Sequence, residues 1–250
     1  MAVGFGGCIR MSFLRGQTSY SPYGDKYKLD TLLFAPDSEL LRAYCAVLVK
    51  APFAPECNAN ARLLVEYFNV HGRLVDLLEE TARREIETTG PETQVFRGNT
   101  AFTRIYNEYT HLYLFPYLRE ATKDTLSALT DESSVLSPEA VESPTAPDHA
   151  DAVYQLGALV TAFFQRLQSS LVHLPPHFHR LYRFIATEVA RKLPATNIQN
   201  TFKLLFFIRF IFPVFHSPQQ VLATAQQPSP RVTARLTLFS KTCQALLNGA

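Results

Sequence analysis

"RLVDLLEETARREIETTG", residues 73–90, is the stretch that sets the fold class. Leu74, Leu77, Leu78, Ala82 and Ile86 recur three and four residues apart, a spacing that gathers them on one face of an α-helix and scatters them across both faces of a strand. Acidic and basic side chains fill the gaps. The pairs Glu79/Glu80 and Glu85/Glu87 read as solvated charge on the polar face rather than as acid–base machinery. The pattern fades at Gly90 and Pro91, which mark a loop.

The same period extends outward in both directions. Before it, Leu63, Leu64, Tyr67 and Phe68 form a helix that Gly72 can stop. Earlier still, Leu40, Leu41, Tyr44, Cys45 and Leu48 form another, capped by Asp37 or Ser38. Residues 1–30 are rich in Gly, Ser and Tyr without a period and read as an arm or boundary segment. After the loop, Phe102, Ile105, Tyr106, Tyr109, Leu112 and Tyr113 share the face of a long helix, which Pro116 should kink. Residues 130–151, acidic and rich in Ser and Pro, read as a long, exposed, mobile connection. Helices resume over 153–171, after Pro175 or Pro176, around Arg209, and over 232–247. Nothing alternates like a strand, and no repeat of fixed period is present. The expectation is an all-α, elongated helical domain over residues 31–250.

The 250 residues are 47% hydrophobic and 18% charged, a composition that supports a core and argues against disorder. A net charge of +2 supplies no bulk attraction to nucleic acid or anionic membrane. Cys8, Cys45, Cys57 and Cys243 are scattered without CxxC spacing, as expected of reduced thiols. Arg10 and Arg15 interrupt any signal-peptide core. The apolar run 204–215 falls short of the roughly 20 residues that span a bilayer. A cytoplasmic protein is expected.

A chemical site of the chain's own is hard to find. There is no GxxxxGK[ST], HExxH or GxSxG, and "GFGG" at 4–7 lacks the flanking strand and helix of a phosphate cradle. His177 and His179 lie about 200° apart on a helix and cannot chelate one metal from it. With His173 they read as surface or cap histidines. No cofactor and no metal are expected.

Two arginines stand out. Arg209 interrupts "LLFFIRFIFPVF", and leaving a guanidinium unpaired in an apolar interior would cost several kcal/mol. Arg97 lies in "QVFRGNTAFTR", residues 94–104, between a Gly/Pro turn and a helix that Asn99 or Thr100 would cap. There Phe96 can anchor the loop while Arg97 points outward.

Residues 95–120, "VFRGNTAFTRIYNEYTHLYLFPYLRE", resemble the arginine-finger segment of the Ras GTPase-activating protein (RasGAP) family. The resemblance runs in register through "LLVEYFNVHGRLVDLLEETARREIETT", "LPPHFHRLYRFIATEVARKLP", "LLFFIRFIFPVFHSP" and "RLTLFSKTCQALLN". The fourth is similar to the signature Phe-Leu-Arg-Phe, two variable residues, Pro-Ala. Departures are Val214 for the alanine, a large Phe212, Leu246-Leu247-Asn248 for Leu-Ala-Asn, and "NTAFTR" where "NSLASK" is common. Because family members continue past the position of Ala250, a fragment or a shortened domain is expected.

The resemblance implies an activator rather than an enzyme. Its partner would be a GTP-bound, Ras-type small GTPase, which brings its own GTP and Mg²⁺. Arg97 corresponds to the finger that enters the partner's nucleotide site. Arg209 corresponds to the signature arginine that braces the finger loop through main-chain carbonyls. Phe96, Gly98, Asn99, Thr100, Arg104, Ile208, Lys241 and Asn248 match positions that shape the loop or meet the GTPase. Recruitment to the inner face of the plasma membrane would come from domains outside this chain. The alternative is a RasGAP-fold module that binds a GTPase without accelerating hydrolysis. Arg97 argues against it; Phe212, Val214 and the early end argue for it.

Overall fold

The computed structural model describes residues 25–35, 37–50, 55–90, 93–194, 198–224 and 226–249. Every regular element among these residues is helical. They divide into two compact units at Tyr109 and Thr110, within a helix. Cys8 and the 4–7 glycine cluster lie outside the described residues.

The first unit holds α1 (Asp25–Phe34), α2 (Glu39–Lys50), α3 (Pro55–Val70), α4 (Leu74–Thr88) and most of α5 (Ala101–Tyr113). Helix begins earlier than the apolar period suggests. In α1, "DKYKLDTLLF" has no continuous stripe, yet Leu33 is buried and the Phe34 ring meets Phe68 edge-on at 5.0 Å. Ser38 caps α2: its Oγ accepts the Leu41 N–H at 2.9 Å and donates to the Leu32 carbonyl at 2.6 Å. At the end of α3, Gly72 has φ +68, a left-handed conformation that glycine adopts without a Cβ clash. Its N–H reaches the Asn69 carbonyl at 2.9 Å, and the Arg73 N–H reaches Phe68 at 2.8 Å, so the last carbonyls of α3 are satisfied. Helix α4 then buries Leu74, Leu77, Leu78, Thr81, Ala82 and Ile86, the stripe expected of it, and packs on α3. Each fully buried leucine or isoleucine contributes about 1.5–3 kcal/mol, which fixes the face α4 turns outward.

The second unit contains the end of α5, then α6 (Phe115–Thr130), α7 (Pro138–Glu142), α8 (His149–Ser170) and a 3₁₀ turn (Leu171–His173). It continues with α9 (Pro176–Lys192), α10 (Ile198–Phe202), a π-helix (Lys203–Ile211), α11 (Pro213–His216), α12 (Gln219–Leu222) and α13 (Pro230–Leu247). The expected kink at Pro116 is a full break at Leu114, because the proline ring crowds the carbonyl four residues back and offers no N–H. Residues 130–151, expected as an exposed connection, are largely exposed but enclose a short packed helix. Ser137 caps α7 by accepting the Ala140 N–H, Leu136 and Ala140 are buried, and α7 packs on α8 and α13.

Rings dominate the centre of this unit. Phe163 meets Phe215 edge-on at 5.6 Å and Phe239 at 5.4 Å, while Phe206 meets Phe178 and Phe210 stacks on Tyr117. The helical run Ile198–His216 is longer than its apolar core. With 19 residues it is long and apolar enough, by length and composition, to cross a membrane. Its Leu205, Phe206, Phe210, Ile211, Val214 and Phe215 are buried, while 39% of its apolar window as a whole lies inside the fold.

Candidate functional site

The loop at 95–100 is built from its ends inward. Val95 and Phe96 are buried, and the Phe96 ring lies 4.6 Å from that of Phe102 on α5. Phe96 has φ +64, a conformation a bulky residue adopts only under constraint and one that clusters at functional sites. With Phe96 turned inward by that twist, Arg97, Gly98 and Asn99 are exposed.

Thr100 and Thr103 close the far end. The Thr100 N–H donates to Thr103 Oγ1 at 2.8 Å, and the Thr103 N–H donates to Thr100 Oγ1 at 3.2 Å, a reciprocal capping pair at the start of α5. The Thr103 hydroxyl in turn lies 3.0 Å from the Gly98 carbonyl. Thr100 is thus the cap, not Asn99. Thr103 is a further residue of the site, and its signal in the sequence is a threonine three residues after a threonine cap.

Glu85, expected as solvated charge, is instead hydrogen-bonded to the loop. From the last turn of α4 its Oε1 accepts the Phe96 N–H at 2.9 Å, and its Oε2 accepts the Thr100 hydroxyl. Beside these bonds lies a cavity of about 530 Å³ lined by Cys45, Val49, Arg84, Glu85, Thr100 and Phe102. Burial pushes the Cys45 thiol up to about 11, so it stays protonated at neutral pH.

In the second unit Arg209 sits on the π-helix and is half-buried, while Ile208 beside it is 43% exposed. The N–H of Phe212 reaches the Phe207 carbonyl at 2.7 Å, five residues back, a wide turn that ends against Pro213. An α-helical turn there would drive the Pro213 ring into the Arg209 carbonyl. π-turns of this kind recur at functional sites.

Comparison with known proteins bears on the same residues. Residues 133–248 match the family model described as RasGAP, GTPase-activator protein for Ras-like GTPase. Mouse Disabled homolog 2-interacting protein is 25% identical over 82% of the chain, rat Ras GTPase-activating protein 1 is 26% identical over 75%, and bovine Ras GTPase-activating protein 3 is 25% identical over 87%. The chain spans only 17%, 18% and 26% of the lengths of those relatives.

The RasGAP match includes Ile208, Arg209, Lys241 and Asn248 and leaves out Arg97 and its loop. Lys241 is exposed on α13 and lines a groove of about 520 Å³ with Glu139, Glu142, Pro230 and Thr237. Asn248 is exposed where α13 ends, its N–H bonded to the Gln244 and Ala245 carbonyls. Two candidates move. The Phe96 side chain is wholly buried, so it anchors the loop and offers no surface to a partner. Arg104 is 7% exposed, and its Nη1 donates to Asn58 Oδ1 at 2.9 Å, tying α5 to α3. It leaves the set of exposed contacts.

Nor is Arg209 the most buried arginine of the second unit. Arg235 on α13 is wholly buried, with Nη1 donating to the Asp131 carbonyl at 2.7 Å and Nη2 3.9 Å from Glu132. Its place was legible, since it falls in step with Val232, Leu236, Phe239 and Cys243 along the buried stripe of α13.

Proposed function

We propose that this chain stimulates GTP hydrolysis by a Ras-type small GTPase in its GTP-bound form, with Arg97 as an arginine finger supplied in trans. The observation that carries the proposal is an exposed arginine set directly after a buried, left-handed phenylalanine, on a loop pinned at both ends. Such a loop presents a guanidinium at little further cost in chain entropy when a partner docks. Negative charge spreads over the phosphate oxygens as GTP is cleaved, and a rigid fork of N–H donors placed there stabilises it. The RasGAP match over residues 133–248 supplies the kind of partner. GTP and Mg²⁺ belong to that partner, and the chain contributes no nucleophile.

For Ras and its activator, an arginine of this kind is worth about 10³–10⁵ in kcat. Single-turnover GTP hydrolysis by a Ras-type GTPase should therefore accelerate when the protein is added. Arg97→Ala should abolish about 10³-fold of that acceleration without lowering thermal stability. Arg209→Ala, on the role carried from the resemblance, should lower the maximal rate while affinity for the GTPase holds. An unaccelerated wild-type reaction would overturn the activator reading for that partner.

One observation favours the second reading, a RasGAP-fold module that binds a GTPase without speeding hydrolysis: the matched residues 133–248 omit Arg97. Under that reading the GTP-bound GTPase binds and its hydrolysis rate does not rise.

A further inference from the structure

We propose that Glu85 is a positioning residue of the Arg97 loop, a two-pronged carboxylate clamp that holds both ends of the segment presenting the finger. The inference rests on the reading of Arg97 as that finger and adds a residue to it. Its two oxygens are divided between residues four apart in sequence: Oε1 takes the Phe96 N–H at 2.9 Å and Oε2 takes the Thr100 hydroxyl. Arg97, Gly98 and Asn99 are the three residues between those two attachment points. Hydrogen bonds to a carboxylate are stronger than those to a neutral acceptor, and here one of them meets the amide of the residue with positive φ.

The base of the clamp is firm. Ala82, one turn earlier, and Ile86, the next residue, are wholly buried, and the Glu85 carbonyl accepts the Thr89 N–H at 3.0 Å and the Thr89 hydroxyl at 2.7 Å. A functional group held by a side chain on a packed helix is placed more closely than one left to its own loop. Chemistry also predicts how substitutions should rank. Alanine removes both attachments. Aspartate, one methylene shorter, cannot span them. In Glu85→Gln the amide oxygen still accepts the Phe96 N–H, and the amide N–H can donate to Thr100 Oγ1, with the charge lost.

The test measures two things on the whole chain. The first is loop order: hydrogen exchange at the Phe96 amide and the rate of trypsin cleavage after Arg97. The second is the stimulated single-turnover rate with a GTP-loaded Ras-type GTPase, as a function of protein concentration. Glu85→Ala should speed exchange and cleavage about tenfold or more while the melting midpoint stays close to wild type, as in local opening. Its maximal stimulated rate should fall by up to about 10²-fold, with the half-maximal concentration little changed, because a small misplacement of a reacting group suffices for that loss. Glu85→Gln should recover most of both. If Glu85→Ala leaves exchange and cleavage unchanged, the clamp is wrong whatever the rates do. If the loop loosens and the stimulated rate holds, Glu85 orders the loop without positioning the finger, and the proposal is overturned. If wild-type protein gives no stimulation while Glu85→Ala loosens the loop, the activator reading fails and takes the finger-positioning role with it, although the clamp itself stands.

Discussion

The loop at 95–100 and the turn at 203–213 both carry an arginine on irregular backbone, and they reach that state by opposite means. In the loop the irregularity is a single left-handed phenylalanine, and side-chain hydrogen bonds from Glu85, Thr100 and Thr103 hold the chain around it. In the turn the irregularity is spread over nine residues of π-helix, and the flanking side chains are aromatic rings packed on other rings. Polar bonds are directional and local, so they suit a segment that must keep one shape while exposed to water. Ring packing is broad and cumulative, so it suits a segment whose backbone must be widened inside a core. The two regions should therefore fail differently when damaged.

The largest effect is expected from the rings. Phe239 is wholly buried, edge-on to Phe163 at 5.4 Å and 5.1 Å from Phe215. Phe239→Ala should cost about 3–5 kcal/mol, and thermal unfolding monitored by circular dichroism should shift down by roughly 2–4 °C per kcal/mol. A midpoint within a degree of wild type would show that the aromatic cluster is not what supports the turn.

A smaller effect, and a local one, is expected in the loop. Thr103 is wholly buried, and Thr103→Val keeps its shape while removing the acceptor for the Thr100 N–H and the donor to the Gly98 carbonyl. Loss of a cap of this kind costs about 0.5–2 kcal/mol. Hydrogen exchange should quicken at residues 98–104 and stay as it is in α8 and α13. Equal quickening in both units would mean that the loop is not held locally, and the contrast between the two regions would collapse.

These differences also explain what could be read from the sequence. The helices were legible wherever an apolar stripe was continuous, as in Leu74, Leu77, Leu78, Ala82 and Ile86, because burial imposes the 3.6-residue period. Helix α1 was missed because its ten residues carry no such stripe, and α7 because five residues are too few to show one. In the candidate site, a buried Phe96 beside an exposed Arg97 was legible from their order alone. Glu85 was not, since a carboxylate among glutamates on a helix looks solvated until the loop ten residues later folds back onto it. Arg104 misled for the converse reason: a charged residue near a helix start looks exposed, and only its hydrogen bond to Asn58 shows that it is enclosed.

The smallest effect on stability tests the cause of the π-turn itself. Pro213 begins α11 directly after the wide turn, and its ring is what an α-helical Arg209 carbonyl would strike. Pro213→Ala removes that obstacle and restores an N–H. Through the greater freedom of the unfolded chain it should cost only about 0.4–1 kcal/mol. If the proline sets the register, the turn can now tighten to α geometry. The Phe212 N–H then moves from the Phe207 carbonyl to that of Ile208, and the directions in which Ile208 and Arg209 point rotate with it. Amide exchange over 207–214 would change, and the proposed stimulation of GTP hydrolysis would fall in a protein of nearly wild-type stability. If exchange and stimulation are both retained, the rings alone hold the wide turn, and the proline is a consequence of the π-helix rather than its cause.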